Sequence, residues 1–512
     1  MRACRLLLVI ALASIPTRAA MSQVAEPTPD DTDEAAGSGS GAKLAAPADP
    51  KARGPWLRAQ ATAALAAHPK LAGAPFTVAA IDLSTNEELL AIDADRGMNL
   101  ASNTKLLTSI AALETLGAGF RWRTTVVGDP PDEHGAVKTL VVRGRGDPLL
   151  SEADLRQLAA DVAARGVRSV DELALDATYF DDVTEPPHFA DAPKETAGYR
   201  APVASFGIDR GTVTVTVVAD PDGGATVTLA PDAPDAVALK KVEVASVTTG
   251  RTRLRVDAKP AHGKLELDVT GKIRAGEGSW DVRKRLDDPA RVAMDVFRRE
   301  LVAHGVSVKS KRVERLPAPP TAKVLATHES TALDEILRAM NKHSDNYVAE
   351  SLLKTIGAET RATPGSATWD DGLAAVRAQL AKLGLPAAGY KYENGSGLYA
   401  STNVSARQLV TLLRAAHRDY RIGPTLVASL PVGGVDGTLA SRWHGHPAAG
   451  RVRAKTGTLD KVVTLAGYVA VDTGHVIAFA VLANDIPAGQ RNEVRAAANE
   501  IVDALAAYVG AQ

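Results

Sequence analysis

Residues 451–482 read RVRAKTGTLDKVVTLAGYVAVDTGHVIAFAVL. Three apolar runs, Arg451–Thr456, Val462–Val471 and His475–Leu482, are separated by short polar breaks. That pattern predicts a β-meander. A helix over Asn492–Val509 follows it. Near the other end of the chain, Phe76–Leu83 (FTVAAIDL) reads as a strand, Ser84-Thr-Asn-Glu87 as a turn and Leu89–Ile92 as a returning strand. A two-stranded hairpin added to a three-stranded meander makes a five-stranded antiparallel sheet. Helical periodicity over Trp56–His68, Lys105–Leu116, Thr331–Met340, Asn346–Ile356, Trp369–Leu383 and Ser405–Arg418 supplies helices for its faces. The expected class is therefore α/β, one domain closed by its two chain ends.

Between the two halves the texture changes. Residues 122–317 carry short alternating strands punctuated by Gly, Pro and Asp, with helices at Glu152–Arg165 and Pro289–His304. They read as an insert of one or two mainly β domains, leaving 55–121 and 318–512 as the halves of the main domain. Residues 1–19 have a basic start, Arg2 and Arg5, then an apolar run too short to span a bilayer comfortably, and small residues at a cleavage site. They predict a signal peptide and an exported, periplasmic location. Residues 20–54 are rich in Pro, Ala, Gly, Ser and acids and read as a disordered linker. Cys4 is the only cysteine, so the exported chain has no thiol nucleophile and no disulfide. The net charge of -1 gives no basic excess for nucleic acid, and no later stretch reads as a transmembrane segment. His444 and His446 lack neighbouring acidic or Cys ligands, and no phosphate-binding Gly loop sits between strand and helix, so neither metal nor cofactor is expected.

Three short motifs follow in chain order: Ser102-Asn-Thr-Lys105, Ser344-Asp-Asn346 and Lys455-Thr-Gly-Thr458. The first two patterns recur, at Ser40–Lys43, Ser351–Lys354, Ser84–Asn86 and Ser401–Asn403, so context must choose. Ser102 stands at a loop-to-helix junction, where one turn places Lys105 on the same face. A partly desolvated Lys there can act as base for a Ser nucleophile, although an N-cap Ser with a solvent-facing Lys would read the same. Ser344-Asp-Asn346 precedes a helix, where capping alone could account for it. Lys455-Thr-Gly-Thr458 ends a strand. Thr456 could offer a hydroxyl to a carboxylate, Gly457 could admit a substrate backbone, and the N–H groups of Thr458 and Ser102 could form an oxyanion hole.

In this order the motifs resemble the active site of the penicillin-binding proteins and serine β-lactamases. The 239 residues from Lys105 to Ser344 (344 − 105) are similar to the spacing in class C low-molecular-mass penicillin-binding proteins, the D-alanyl-D-alanine carboxypeptidase/endopeptidase family. Gly146-Asp-Pro148, HSDNYVAESLL around Ser344, Asn394-Gly-Ser-Gly-Leu398, SARQL at Ser405, LPVGGVDGTL from Leu430 and AKTGTLDKVVTLAGYV from Ala454 extend the likeness from about Pro55 onward. The resemblance implies a serine DD-peptidase acting on peptidoglycan stem peptides, with β-lactams as covalent inhibitors. It implies Ser102 as nucleophile, Lys105 as its base, and Ser344 with Lys455 as the proton route to the leaving amine. Asn346 would orient the acyl amide, and Thr456 and Thr458 would hold the terminal carboxylate. Asp147 would grip the amine of the stem-peptide side chain. The family's usual GSGLSR stretch is here Gly395-Ser-Gly-Leu-Tyr-Ala400, which lacks the Arg. A serine β-lactamase and a non-catalytic wall-binding protein are the alternative readings.

Overall fold

The two ends of the chain meet in one sheet. Phe76–Asp82 pairs antiparallel with His475–Ala483, from Phe76 opposite Ala483 to Asp82 opposite Ile477. Glu88–Ile92 flanks it on one side. Val462–Asp472 and then Val452–Leu459 continue the sheet on the other, making five antiparallel strands with Val452–Leu459 at the edge. The computed structural model describes residues 44–508 apart from 262–263, 363, 387, 400–401, 447 and 473–474. The expected signal at 1–19 and the linker up to residue 43 lie outside the described residues.

Among the described residues ten helices pack around the strands: α1 (Pro50–Ala66), α2 (Thr104–Leu116), α3 (Glu152–Ala164), α4 (Pro289–Ala303), α5 (Leu333–His343), α6 (Asn346–Thr360), α7 (Trp369–Lys382), α8 (Ala406–Arg418), α9 (Gly423–Ser429) and α10 (Arg491–Ala507). The period of two along the sheet sorts its side chains between two cores. Ile477, Phe479 and Val481 pack with Leu57 of α1 and Ile501 and Leu505 of α10. Ala478, Ala480 and Leu482 point the other way, into a core with Ile110 of α2, Met340 of α5, Leu353 of α6 and Leu412 of α8. With both faces covered, the His475–Ala483 strand is a nearly unbroken apolar run, as in sheets buried on both sides. The alanines on the second face leave room for helices to lie close against the sheet. α2 is buried along its length from Thr104 to Leu113, and Gly117, at φ +78°, ends it.

Order begins earlier than Pro55. Asp49 caps α1 by accepting from the Lys51 N–H, and Pro50 fits the first turn, where its missing N–H costs nothing. Residues 50–54 of the expected linker form the start of this helix, which buries Leu57 and Ala61.

Between α2 and α5 the chain builds its own core. Arg123–Gly128 pairs with Lys323–Glu329, and Ala136–Arg143 pairs in parallel with Ser169–Asp176, within a six-stranded sheet. α3 joins the parallel pair, as a parallel connection requires. Leu155 and Leu158 of α3 pack with Val292 and Val296 of α4 over this sheet. Two three-stranded sheets stand beyond it. The two helices expected within the insert, α3 and α4, both pack on this first sheet. The insert also runs further than Pro317: Lys323–Glu329 is needed to pair Arg123–Gly128.

Leu57→Ala should lower the unfolding free energy by about 2–5 kcal/mol, because the leucine is wholly buried between α1 and the sheet. Chemical denaturation followed by circular dichroism measures it.

Candidate active site

Ser102 lies in a 3-10 turn, Ala101–Asn103, that leads directly into α2. The turn is lashed to the sheet. Asn484 accepts from the Asn99 N–H at 2.8 Å and donates to the Asn99 carbonyl at 3.1 Å, while the Thr464 hydroxyl donates to the Leu100 carbonyl at 2.8 Å. Ala101 is held at φ +45°, a left-handed conformation that an alanine adopts only under constraint. The Asn99 side chain accepts from its N–H, and Thr104 donates to its carbonyl, both at 2.8 Å.

One helical turn on, the Lys105 amine is wholly buried. It lies 3.1 Å from Ser102 Oγ, 2.7 Å from Asn346 Oδ1 and 2.9 Å from the Ser396 carbonyl. Asn346 Oδ1 and the Ser396 carbonyl only accept hydrogen bonds. A neutral amine therefore gives both N–H groups to them and turns its lone pair to the Ser102 hydroxyl. Burial lowers the Lys105 pKa from 10.5 to about 7, against the opposing pull of the Glu350 and Asp345 carboxylates. The amide of Asn346 cannot flip out of this arrangement, because its Nδ2 donates to the Tyr199 carbonyl at 3.1 Å.

Ser344 closes α5 in the left-handed conformation, φ +57° and ψ +35°. The capping that could have explained it falls to its neighbour: the Asp345 side chain accepts from the Val348 N–H and caps α6. The Ser344 hydroxyl is thereby left to accept from the buried Lys455 amine at 2.9 Å. That amine also donates to the Thr456 carbonyl at 2.8 Å. Along the edge strand, the Ala454 N–H points outward, to the Pro431 carbonyl. By the period of two, the N–H groups of Thr456 and Thr458 face the same open side. The Thr456 hydroxyl donates to that of Thr438 at 2.8 Å.

Gly457 brings the strand and the serine turn together. A Cβ there would stand 2.7 Å from the Leu100 carbonyl, 3.1 Å from the Asn103 nitrogen and against the Thr464 hydroxyl. The space expected to admit a substrate backbone is occupied by the chain's own turn, so the glycine is required by that close approach. Ser102, Lys105, Ser344, Asn346, Lys455, Thr456, Gly457 and Thr458 thus share one locality, where the start of α2, the α5–α6 junction and the sheet edge converge.

Asp147 does not join them. Its side chain is 1% exposed, 3.2 Å from His328 Nε2, and accepts from the Leu149 N–H at 3.0 Å. A carboxylate enclosed in this way presents no face to a ligand amine, contrary to the expectation for it. Asn346 spends one of its two amide N–H groups on the Tyr199 carbonyl, so its expected role with an acyl amide would fall to the other. Ser351 of the competing SxxK pattern is an interior residue of α6, and Lys354 is paired with Asp181. His446 is hydrogen-bonded to Asp503.

Two groups escaped the sequence reading. Glu350 is wholly buried and accepts from the Gly395 and Ser396 N–H groups at 2.9 and 2.8 Å, which sets the Ser396 carbonyl against Lys105. Burial pushes its carboxyl pKa up, and those hydrogen bonds and Lys105 oppose the rise. A charged residue inside the apolar run YVAESLL, one turn from Asn346, was the available signal. The second is Tyr199, contributed by the insert. Where the Arg of the usual GSGLSR stretch is missing, Tyr399 sits at φ +62° and donates to Glu195, four residues before Tyr199, at 2.7 Å.

Glu350→Gln should destabilise the protein by about 1–3 kcal/mol, since the two N–H groups bind different carboxylate oxygens and the amide NH2 would face one of them as a second donor. Thermal unfolding by calorimetry reads it.

The D-Ala-D-Ala carboxypeptidase 3 (S13) family matches residues 57–507. A D-alanyl-D-alanine carboxypeptidase of Actinomadura sp. (strain R39) is 37% identical over 432 residues, covering 81% of this chain and 79% of that protein. The crystal structure of penicillin binding protein 4 (dacB) from Haemophilus influenzae superposes with a TM-score of 0.71 at 22% identity, covering 86% of this chain and 98% of that one. The same Haemophilus protein complexed with a β-lactam superposes with a TM-score of 0.65 at 22% identity and the same coverage of the two chains, 86% and 98%. The sheet, the three motifs and a family match spanning nearly the whole described chain converge: this chain belongs to the D-Ala-D-Ala carboxypeptidase 3 (S13) family.

Proposed function

We propose that this carboxypeptidase is exported by the segment at residues 1–19 and hydrolyses the terminal D-Ala-D-Ala bond of peptidoglycan stem peptides through an acyl-enzyme on Ser102. The observation that carries the reading is the buried Lys105 amine, whose two acceptor-only neighbours leave its lone pair to the Ser102 hydroxyl. In the first step Ser102 Oγ attacks the carbonyl of the penultimate D-Ala and its proton passes to Lys105 Nζ. The oxyanion forms between the N–H groups of Ser102 and Thr458. As the tetrahedral intermediate collapses, the C–N bond breaks and the proton held by Lys105 passes by way of Ser344, whose hydroxyl Lys455 orients, to the leaving amine, which leaves Lys105 neutral. Water then adds to the ester as Lys105 takes one of its protons, and when the ester C–O bond breaks that proton returns to Ser102 Oγ and the shortened peptide leaves.

Thr456 and Thr458 hold the carboxylate of the departing residue, beside the positive charge of Lys455. Asn346 acts as a positioning residue for Lys105, and Tyr199 fixes the Asn346 amide in turn. The same acylation accounts for covalent inhibition by β-lactams, and the relative in Haemophilus influenzae is known with one bound. Cross-links in which the penultimate D-Ala is joined to a diamino acid present the same acyl carbonyl, and we include them as substrates.

Wild-type protein should take a covalent label from a fluorescent penicillin and remove one Ala from pentapeptide fragments, read by mass spectrometry. Ser102→Ala should take no label and lose at least about a thousandfold in turnover. A label that persists in that variant excludes Ser102 as nucleophile.

The acylation rate should also depend on pH in a defined direction. The base is neutral Lys105, with a pKa of about 7, so protonation removes it. The rate constant should rise with pH through about 7 and level off above it, falling at pH 6 to about a tenth of the plateau. Stopped-flow acylation between pH 5 and 9 measures it, and a flat profile would exclude Lys105 as the titrating base.

A further inference from the structure

Arg121, Arg123, Arg143 and Arg145 converge with Tyr179 and Glu359 on a cleft of about 320 Å3. The cleft lies where the first sheet of the insert meets the C-terminal ends of α2 and α6, whereas Ser102 and Asn346 stand at the N-terminal ends of the same helices. α2 has 13 residues, so the two sites are about 20 Å apart along its axis. Nothing in the chemistry above uses this cleft.

Its arginines are held in place by the RGRG stretch at 143–146. The Gly144 N–H donates to the Asp176 carbonyl at 3.2 Å and the Gly146 N–H to the Ser205 carbonyl at 2.6 Å. A Cβ on Gly144 would stand 2.5 Å from the Ser205 carbonyl, and one on Gly146 2.5 Å from the Phe180 ring. With its backbone clamped on both sides, Arg145 is exposed and holds its guanidinium 5.2 Å from the Tyr179 ring centre. Arg121 is exposed and donates to the Ser330 carbonyl at 2.7 Å.

The charges do not balance. Glu329 pairs with Arg123 and Asp176 with Arg143. Among the described residues, Arg121 and Arg145 have no carboxylate within ion-pair reach. Beside them Glu359 is exposed, with one oxygen accepting from the Tyr179 hydroxyl at 2.7 Å. The negative ends of two helices favour arginines here, but they do not call for a carboxylate in the same cleft. Two uncompensated guanidiniums beside one carboxylate match a ligand that carries both a carboxylate and an ammonium. A phosphodiester polymer has only negative charge and would meet Glu359 unfavourably. The volume suits a small discrete group.

We propose that this cleft binds the zwitterionic, amino-acid-like end of a peptide, with its carboxylate in the forks of Arg121 and Arg145 and its ammonium on Glu359. It would give the enzyme a second hold on its wall substrate, which rests on the reading that peptidoglycan peptides are that substrate. The test titrates diaminopimelic acid into the full chain and follows it by saturation-transfer NMR, before and after treatment with benzylpenicillin. Binding should persist after Ser102 is acylated. It should weaken about tenfold in Arg121→Gln and, as a second variant, in Arg145→Gln, and also in Glu359→Gln, while hydrolysis of a small soluble D-Ala-D-Ala peptide is unchanged. Wild-type affinity in both arginine variants, or tighter binding in Glu359→Gln, which would mark a plain anion site, overturns the proposal. Failure of penicillin to acylate would count against the Ser102 reading alone, because the same variants are compared in untreated protein.

Discussion

Everything chemical in this protein depends on taking one lysine amine out of water without giving it a carboxylate to hold. A buried ammonium is strongly disfavoured, and a contact ion pair would restore the charge by restoring the proton. Here the nearest groups to Lys105 Nζ are a hydroxyl, an amide oxygen and a main-chain carbonyl. Glu350 acts from behind the carbonyl, through the backbone N–H groups it binds, and so moderates the fall in pKa without cancelling it. The amine rests near 7, where it can both take a proton and give it up. The second lysine is equally buried, and its amine is bound to Ser344 and to its own strand, where it orients a hydroxyl.

That setting requires three remote stretches to be held to within a few tenths of an ångström, and the fold does so with backbone that cannot relax. Ala101 and Ser344 both occupy left-handed conformations, and each is followed at once by a helix. Such residues raise the local energy by about 1–3 kcal/mol and persist only where their surroundings overrule them. The surroundings here are a sheet covered on both faces, the Asn484 and Thr464 tethers on the serine turn, and a glycine at 457 that lets the edge strand press against that turn. Gly397 does the same from the opposite side: its Cβ position falls against the Ala101 carbonyl and the Thr104 hydroxyl. The strain sits at the two serines because the rest of the domain is rigid enough to bear it.

Much of this was legible in the chain. The short apolar runs Phe76–Leu83 and His475–Leu482, bounded by turn residues, specified strands, and the three motifs in order specified which loops had to meet. What could not be read was whatever depends on a neighbour remote in sequence. Ser344 looked like a helix cap, and only the fold shows that Asp345 takes that role. Gly457 was read as room for a ligand, but the Leu100 carbonyl fills the room. Asp147 was read as the grip for a ligand amine, but the strand Lys323–Glu329, remote in sequence, sets His328 3.2 Å from it. The Glu350 pairing was equally hidden, because its partners are N–H groups that exist as a pair only once the 395–397 loop is folded.

The insert is therefore part of the site and not merely attached to it. The Tyr199 carbonyl fixes the amide whose oxygen fixes Lys105, so a main-chain atom of the insert acts on the base through one intermediate. Arg210 of the insert is 2.9 Å from Asp345, the cap of α6, and Glu195 binds the Tyr399 hydroxyl in the loop that carries Ser396. Each of the two elements that supply an acceptor to Lys105 is thus held on its far side by the insert. A movement of residues 195–210 relative to the sheet would loosen both acceptors together. The lone pair of Lys105 would lose its direction before any of these side chains was displaced, so in the proposed mechanism the seating of the insert is a condition for Lys105 to act as base.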